Sequence, residues 1–149
     1  MEYIRNKKAT FDYTLEDTIE TGIELLGTEV KSVKASHGSL AGSHVTLVNG
    51  VLVLLGAHIP AWQEKNAGAT YDPYRTRTLL VHKKELFDIA KVLKTKGLTI
   101  VPISLHNKGS LIKLTIAIAK GKKVADKRNV LKERADKKDI DRELKTARG

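Results

Sequence analysis

The acidic residues Glu20, Glu24 and Glu29 are the first candidates for chemistry in this 149-residue chain. They fall on an expected strand and at the start of an expected helix, with no partner whose position the spacing fixes, so acid–base turnover is not supported. A carboxylate on a basic protein has two other uses: it accepts from a base edge or a ribose hydroxyl, or it holds a nearby arginine in place. His37, His44, His58, His82 and His106 are scattered singly, without helical i, i+4 spacing or an acidic cluster, which argues against a metal centre. The chain has no cysteine, which removes disulfides, thiolate nucleophiles and Cys-ligated zinc. Gly22 and Gly27 precede Lys31-Ser32, but a phosphate loop needs its Lys-Ser directly after the second glycine, so that reading is rejected.

What remains is recognition chemistry. Arg75 and Arg77 sit two apart ahead of an apolar run, so on a strand they share one face, suited to phosphate contact or simply exposed. Lys113 interrupts an apolar stretch and either emerges at a barrel edge or faces a ligand. Tyr3, Tyr13, Tyr71, Tyr74 and Trp62 offer stacking surface for unpaired bases, although core packing suits Tyr13 better.

Short strands must position these residues. Phe11–Leu15 alternates apolar and polar, and Ile19–Leu26 continues as strand with Gly22 a bulge or close-approach site. Tyr3–Thr10 reads as a basic arm. Thr28 is expected to cap a short helix that Gly38 stops, with Val30 and Val33 inward. Ser43–Val48 and Val51–Leu55 flank Asn49-Gly50, a strong hairpin signal, and the return strand is apolar on both faces. Pro60–Pro73 reads as a loop anchored by Trp62, and Tyr74–Val81 as a short strand. Leu86, Ile89, Ala90 and Leu93 define a helix over Lys83–Lys96 with Gly97 as the stop. Leu98–Leu105 and Leu111–Ala119 form a second hairpin. The pattern predicts a mainly β protein with flanking helices: a small antiparallel barrel of the oligonucleotide-binding (OB) type, about six strands and two or three helices, or else an open α+β sandwich.

Charge divides the chain unevenly. From Lys120 onward there are 12 Lys/Arg against 6 Asp/Glu, whereas the preceding residues hold 15 against 11. The expected division is therefore a body over 1–119 and a basic tail over 120–149, too poor in large apolar residues to order alone. Glu133 and Asp141 precede Lys137 and Lys145 by four, so the tail is suited to helix formation on contact. A net charge of +10 points to a polyanion. The apolar runs are too short to span a bilayer and MEYIRNKKAT has no apolar leader core, which predicts a cytoplasmic protein.

Spread over the chain are Asn6-Lys7-Lys8-Ala9, Asp12-Tyr13, Glu20-Thr21-Gly22-Ile23 and Gly27-Thr28-Glu29-Val30-Lys31-Ser32. Then come Asn49-Gly50, Leu55-Gly56-Ala57-His58-Ile59, Asp72-Pro73, Arg75-Thr76-Arg77, Leu79-Leu80-Val81-His82-Lys83 and Lys96-Gly97-Leu98-Thr99. Ala119-Lys120-Gly121-Lys122-Lys123, Asp126-Lys127-Arg128 and Lys132-Glu133-Arg134 follow. In this order and spacing the sequence resembles the small protein B (SmpB, SsrA-binding protein) family of bacterial trans-translation. The resemblance implies a non-enzymatic factor, without a cofactor, whose OB-type barrel binds the tRNA-like domain of transfer-messenger RNA (tmRNA). The resemblance also implies delivery of that RNA to stalled ribosomes, with elongation factor Tu in the delivery complex and the tail in the empty decoding site and message channel of the small subunit. Carried over by position, the RNA-binding residues are Asn6, Glu20, Leu80 and Lys113, supported by Lys7, Arg75 and Arg77. The ribosome-binding tail residues are Lys120, Gly121, Lys122, Lys123, Asp126, Lys127, Arg128, Lys132, Glu133 and Arg134. Phe11 stands where the family usually has His, His44 where Tyr is usual, and Val124-Ala125 where an aromatic or His is frequent. The alternative function is a general single-strand-binding OB protein, which the low aromatic content (5%) disfavours.

Overall fold

The computed structural model describes residues 1–62 and 70–121. The expected basic arm is instead a strand and a helical turn, β1 (Glu2–Arg5) and α1 (Lys7–Asp12). Asn6 causes the change. Its side-chain oxygen accepts from the Ala9 N–H at 3.2 Å, which caps α1, and its amide donates to the carbonyls of Pro102 (2.9 Å) and Leu40 (3.2 Å). Phe11 and Asp12 therefore close a helix rather than open a strand.

β2 (Tyr13–Ile23) is one long strand where two pieces are expected, with its irregularity between Leu15 and Thr18 rather than at Gly22. α2 (Gly27–Lys34) buries Val33 as its pattern requires, and ends before Ser36, which takes a positive φ of 60°. Thr28 is not its cap. The Thr28 hydroxyl donates to the Trp62 carbonyl at 3.1 Å and accepts from the Trp62 N–H at 2.6 Å, pinning the loop that follows the next hairpin. Glu29 supplies the capping bond instead, accepting from the Leu26 N–H at 2.8 Å.

β3 (His44–Val48) and β4 (Val51–Leu55) pair through Asn49-Gly50, whose positive φ values of 51° and 77° are those a tight two-residue hairpin demands. Leu52, Val53 and Leu54 are all buried, so β4 is covered on both faces as expected. β5 (Arg77–Leu80) is short, and α3 (Lys83–Lys94) follows, presenting Leu86, Ile89, Val92 and Leu93 to the core. β6 (Leu98–Lys108) and β7 (Leu111–Gly121) form the longest hairpin.

The sheet order is β1-β6-β3-β4-β5-β2-β7, and β7 returns to β6. Six strands therefore close a hydrogen-bonded ring, and β1 adds to β6 beside β3: β3 meets β6 at Ile100, β1 at Ser104–His106. This is the mainly antiparallel, OB-like architecture expected, with three helices and seven strands among the described residues where about six strands are expected. Inside lie Leu52, Leu54, Ile89, Ile100, Leu105, Leu114 and Ile116, each nearly inaccessible. Burial of such side chains is worth roughly 1.5–3 kcal/mol apiece.

The outside of the ring is covered unequally. Ala9 of α1 packs with Val101, Ala119, Tyr13, Leu15 and Ile103, roofing the stretch where β2 begins and β7 ends. Among the described residues, no helix covers the opposite end of the same strands in this way, and Leu80 there is exposed.

Candidate nucleic-acid interface

Strand pairing brings the expected interface residues together. Side chains alternate across a strand, so directly paired residues share a face. His106 on β6 pairs with Lys113 on β7, Lys113 with Gly22 on β2, and Gly22 with Leu80 on β5. Leu114, Thr21 and Leu79, their neighbours in sequence, are buried. The row His106–Lys113–Gly22–Leu80 thus points outward, with Glu20 beside it on β2.

Gly22 matters by lacking a side chain. A Cβ there would approach the Leu80 Cβ to 3.2 Å, so the position is a close-approach site, one of the two readings its sequence allows. The gap between Leu80 and Lys113 is the floor of a groove of about 490 Å³, bordered by Glu20, Val81, His82, Glu85 and Lys108. Leu80 is 54% exposed, unusual for a leucine on a strand. Lys113 forms no ion pair among the described residues. Glu20 lies between two donors from β6: its Oε2 is 3.0 Å from His106 Nε2, and its Oε1 accepts from Lys108 Nζ at 3.2 Å. The His106 contact and then the Lys108 contact hold its carboxyl below the usual carboxylate range. The groove thus offers an apolar surface, an unpaired ammonium and an ionised acceptor, which suit a sugar or base face, a phosphate, and a hydroxyl or N–H donor respectively. No Phe, Tyr or Trp ring borders it.

The other expected contact residues lie elsewhere. Asn6 is 4% exposed and committed to the α1 cap, bordering a separate hollow with Lys8, Tyr13 and His44. Lys7 is exposed on α1. Arg77 is fully buried, which corrects the expectation of an exposed face shared with Arg75. Its Nε and Nη2 donate to Glu29 Oε2 at 3.0 and 2.6 Å, and its Nη1 to the Ala57 carbonyl at 2.7 Å. Arg75 donates to the same carboxylate at 3.1 and 2.6 Å and retains 32% side-chain exposure. Glu29 is therefore the acid that holds arginines in place. Burial pushes its carboxyl up, but hydrogen bonds from Arg75, the Leu26 N–H and Arg77 together outweigh this and hold it low. The Tyr71 hydroxyl shares its hydrogen between the Ile59 carbonyl at 2.6 Å and Glu29 Oε2 at 3.0 Å, and burial followed by the Glu29 charge raises the phenol.

Sequence reasoning missed His106 and Lys108. Their i, i+2 spacing on an expected hairpin is a signal for one shared face, but not for the acid they meet. Lys120 and Gly121, expected at the start of the tail, are the last rungs of β7, opposite Thr14 and Tyr13. Lys122, Lys123, Asp126, Lys127, Arg128, Lys132, Glu133 and Arg134 lie outside the described residues.

A family model described as SmpB protein matches residues 3–146. The chain belongs to the SmpB family. An SsrA-binding protein of Prochlorococcus marinus (strain MIT 9515) is 47% identical, over 95% of this chain and 84% of that one. Its counterpart in Microcystis aeruginosa is 42% identical over 94% of this chain and 91% of its own. A solved structure described as "tmRNA-SmpB: a journey to the center of the bacterial ribosome" is 38% identical with a TM-score of 0.67, covering 81% of this chain and 85% of that one. The fold described here is thus shared with that chain. Among the described residues, no helix is long and apolar enough to cross a membrane.

Proposed function

We propose that this protein is a non-enzymatic RNA-binding factor of the cytoplasm that grips the tRNA-like domain of tmRNA and delivers it to stalled ribosomes for trans-translation. The convergence of Glu20, Leu80 and Lys113 from three strands onto one open groove carries the reading. The SsrA-binding names of its relatives and the tmRNA–SmpB ribosome setting of its structural neighbour support it. The groove recognises a folded RNA by phosphate, ribose and base-edge contacts, and Lys7, exposed on α1 away from the groove, adds to the positive charge of the body. In this reading the body ends with β7, and the basic segment beyond it enters the empty message channel of the small subunit as a helix. Elongation factor Tu joins the same delivery complex.

The test is binding of the purified chain to an RNA carrying the tRNA-like domain, in competition with an unstructured oligonucleotide. Glu20→Ala and Lys113→Ala each weaken binding on the order of tenfold with the fold intact. With ~6–10 phosphate contacts, affinity falls roughly 10³–10⁵-fold between ~50 and ~200 mM salt. Truncation after Gly121 spares RNA binding and abolishes ribosome rescue. Preference for the unstructured oligonucleotide would move the chain to the general single-strand-binding class, and turnover of RNA to an enzyme class.

A further inference from the structure

Glu20 poses a physical problem for the groove. A flexible carboxylate stands among ammonium groups, on a site meant to receive a polyanion. Left to itself it would swing toward the Lys113 ammonium, losing its aim as an acceptor and consuming the charge that meets phosphate. The structure shows what prevents this. Both carboxylate oxygens are held from β6, Oε2 by His106 Nε2 at 3.0 Å and Oε1 by Lys108 Nζ at 3.2 Å.

These two donors are not equivalent. The Lys108 side chain is 70% exposed, and an exposed ammonium on a long stem adds little fixed geometry. The His106 side chain is only 18% exposed and is set on three sides. It pairs in register with Glu2 on β1 and with Lys113 on β7, and its Nδ1 lies 3.5 Å from Thr115 Oγ1. Thr115 in turn stands opposite Glu20 across the β2–β7 ladder. A carboxylate requires a donor, so the Nε2 that faces it carries the hydrogen, and Nδ1 faces a hydroxyl able to donate back. The ring is thus a spacer between β7 and the acid, with both nitrogens directed.

We infer that His106 is a positioning residue of this groove, fixing Glu20 as an aimed acceptor for a hydroxyl or N–H donor of the RNA while leaving Lys113 open to phosphate. This rests on the groove being the RNA site. Glu20 is then the point where a ribose hydroxyl or base edge is read, and the residue that keeps it so lies on a strand it does not pair with.

Four full-length variants, His106→Leu, His106→Gln, Glu20→Ala and the Glu20→Ala/His106→Leu double, test it against a labelled RNA carrying the tRNA-like domain. His106→Leu weakens binding roughly tenfold, whereas His106→Gln, whose amide N–H replaces the Nε2–H, stays within about twofold of the unaltered chain. Added to Glu20→Ala, His106→Leu costs less than about a further twofold, because the two act as one unit. A second readout needs no RNA: in carboxyl-resolved NMR titration, His106→Leu moves Glu20 up toward the ordinary carboxylate range and His106→Gln does not. Additive losses, equal weakness of the Leu and Gln variants, or a Glu20 titration indifferent to His106→Leu would each overturn the inference. If the unaltered chain ignores the tRNA-like RNA, the RNA reading of the groove falls, and the titration alone still decides whether His106 positions Glu20.

Discussion

Replacing Glu29 by glutamine should be the most damaging single conservative change in the body. The carboxylate is inaccessible to solvent and receives Arg77 through two bonds, Arg75 through two, the Tyr71 hydroxyl and the Leu26 N–H. Glutamine keeps one acceptor oxygen but turns an N–H₂ toward guanidinium donors and leaves two positive groups without their counter-charge. Breaking a buried pair by removing one partner costs about 3–5 kcal/mol. Arg77 keeps its bonds to the Ala57 and Pro73 carbonyls and Arg75 is partly solvated, which places the loss at the low end, near 3 kcal/mol. For a body of this size that is roughly a 10–15 °C drop in Tm. Urea unfolding followed by circular dichroism measures it, with the slope m unchanged. The pH dependence supplies a second check. A carboxyl held below its ordinary value of 4.5 contributes its full stabilisation above that pH and loses it as pH falls through the lowered native value. Glutamine has no such titration, so the gap between the two proteins narrows in acid. A loss under about 1 kcal/mol with m unchanged, or a gap that stays constant down to strongly acid pH, would refute the assignment of this cluster as a buried tie.

Gly22→Val fills the groove floor against Leu80, and should weaken the RNA complex roughly tenfold in anisotropy titrations while shifting Tm by only a few degrees. Lys113→Ala should reduce the slope of log affinity against log salt by about one, the signature of one lost phosphate contact. Asn6→Ala removes the α1 cap and two bonds to buried carbonyls, and should cost about 2–3 kcal/mol in urea unfolding while leaving the RNA salt slope unchanged.

Local signals proved the most legible. Asn49-Gly50 dictated its hairpin because few residues accept positive φ, and the apolar spacing of Leu86, Ile89 and Leu93 dictated α3. The double-sided burial of β4 followed from its unbroken apolar run. Other features depended on contacts that sequence spacing does not encode. Arg77 looked exposed because arginine usually is, and its partner Glu29 lies 48 residues away. Tyr3–Thr10 reads as an arm and Phe11 onward as strand because the positive charges obscure a capped turn, although Asn6 is a favoured N-cap residue. The convergence of Glu20, Leu80 and Lys113 depended on the register of three strands, and only resemblance to the family placed those residues in one site beforehand. Thr28 had the chemistry of a cap but met the Trp62 backbone instead.

β7 has a consequence for how the molecule tolerates change in length. Lys113 stands near its start and Gly121 closes it, about 26 Å apart for an extended strand. Both ends are fastened to β2, at Gly22 and at Tyr13, so the strand works as a measuring rod between the proposed groove and the point where β7 ends. Inserting one residue would turn every later side chain to the opposite face, while inserting two would preserve the faces and slide the last rungs roughly 7 Å past their present partners on β2. Reach toward a distant binding partner could thus be recalibrated in steps of two residues, without touching a single contact in the groove.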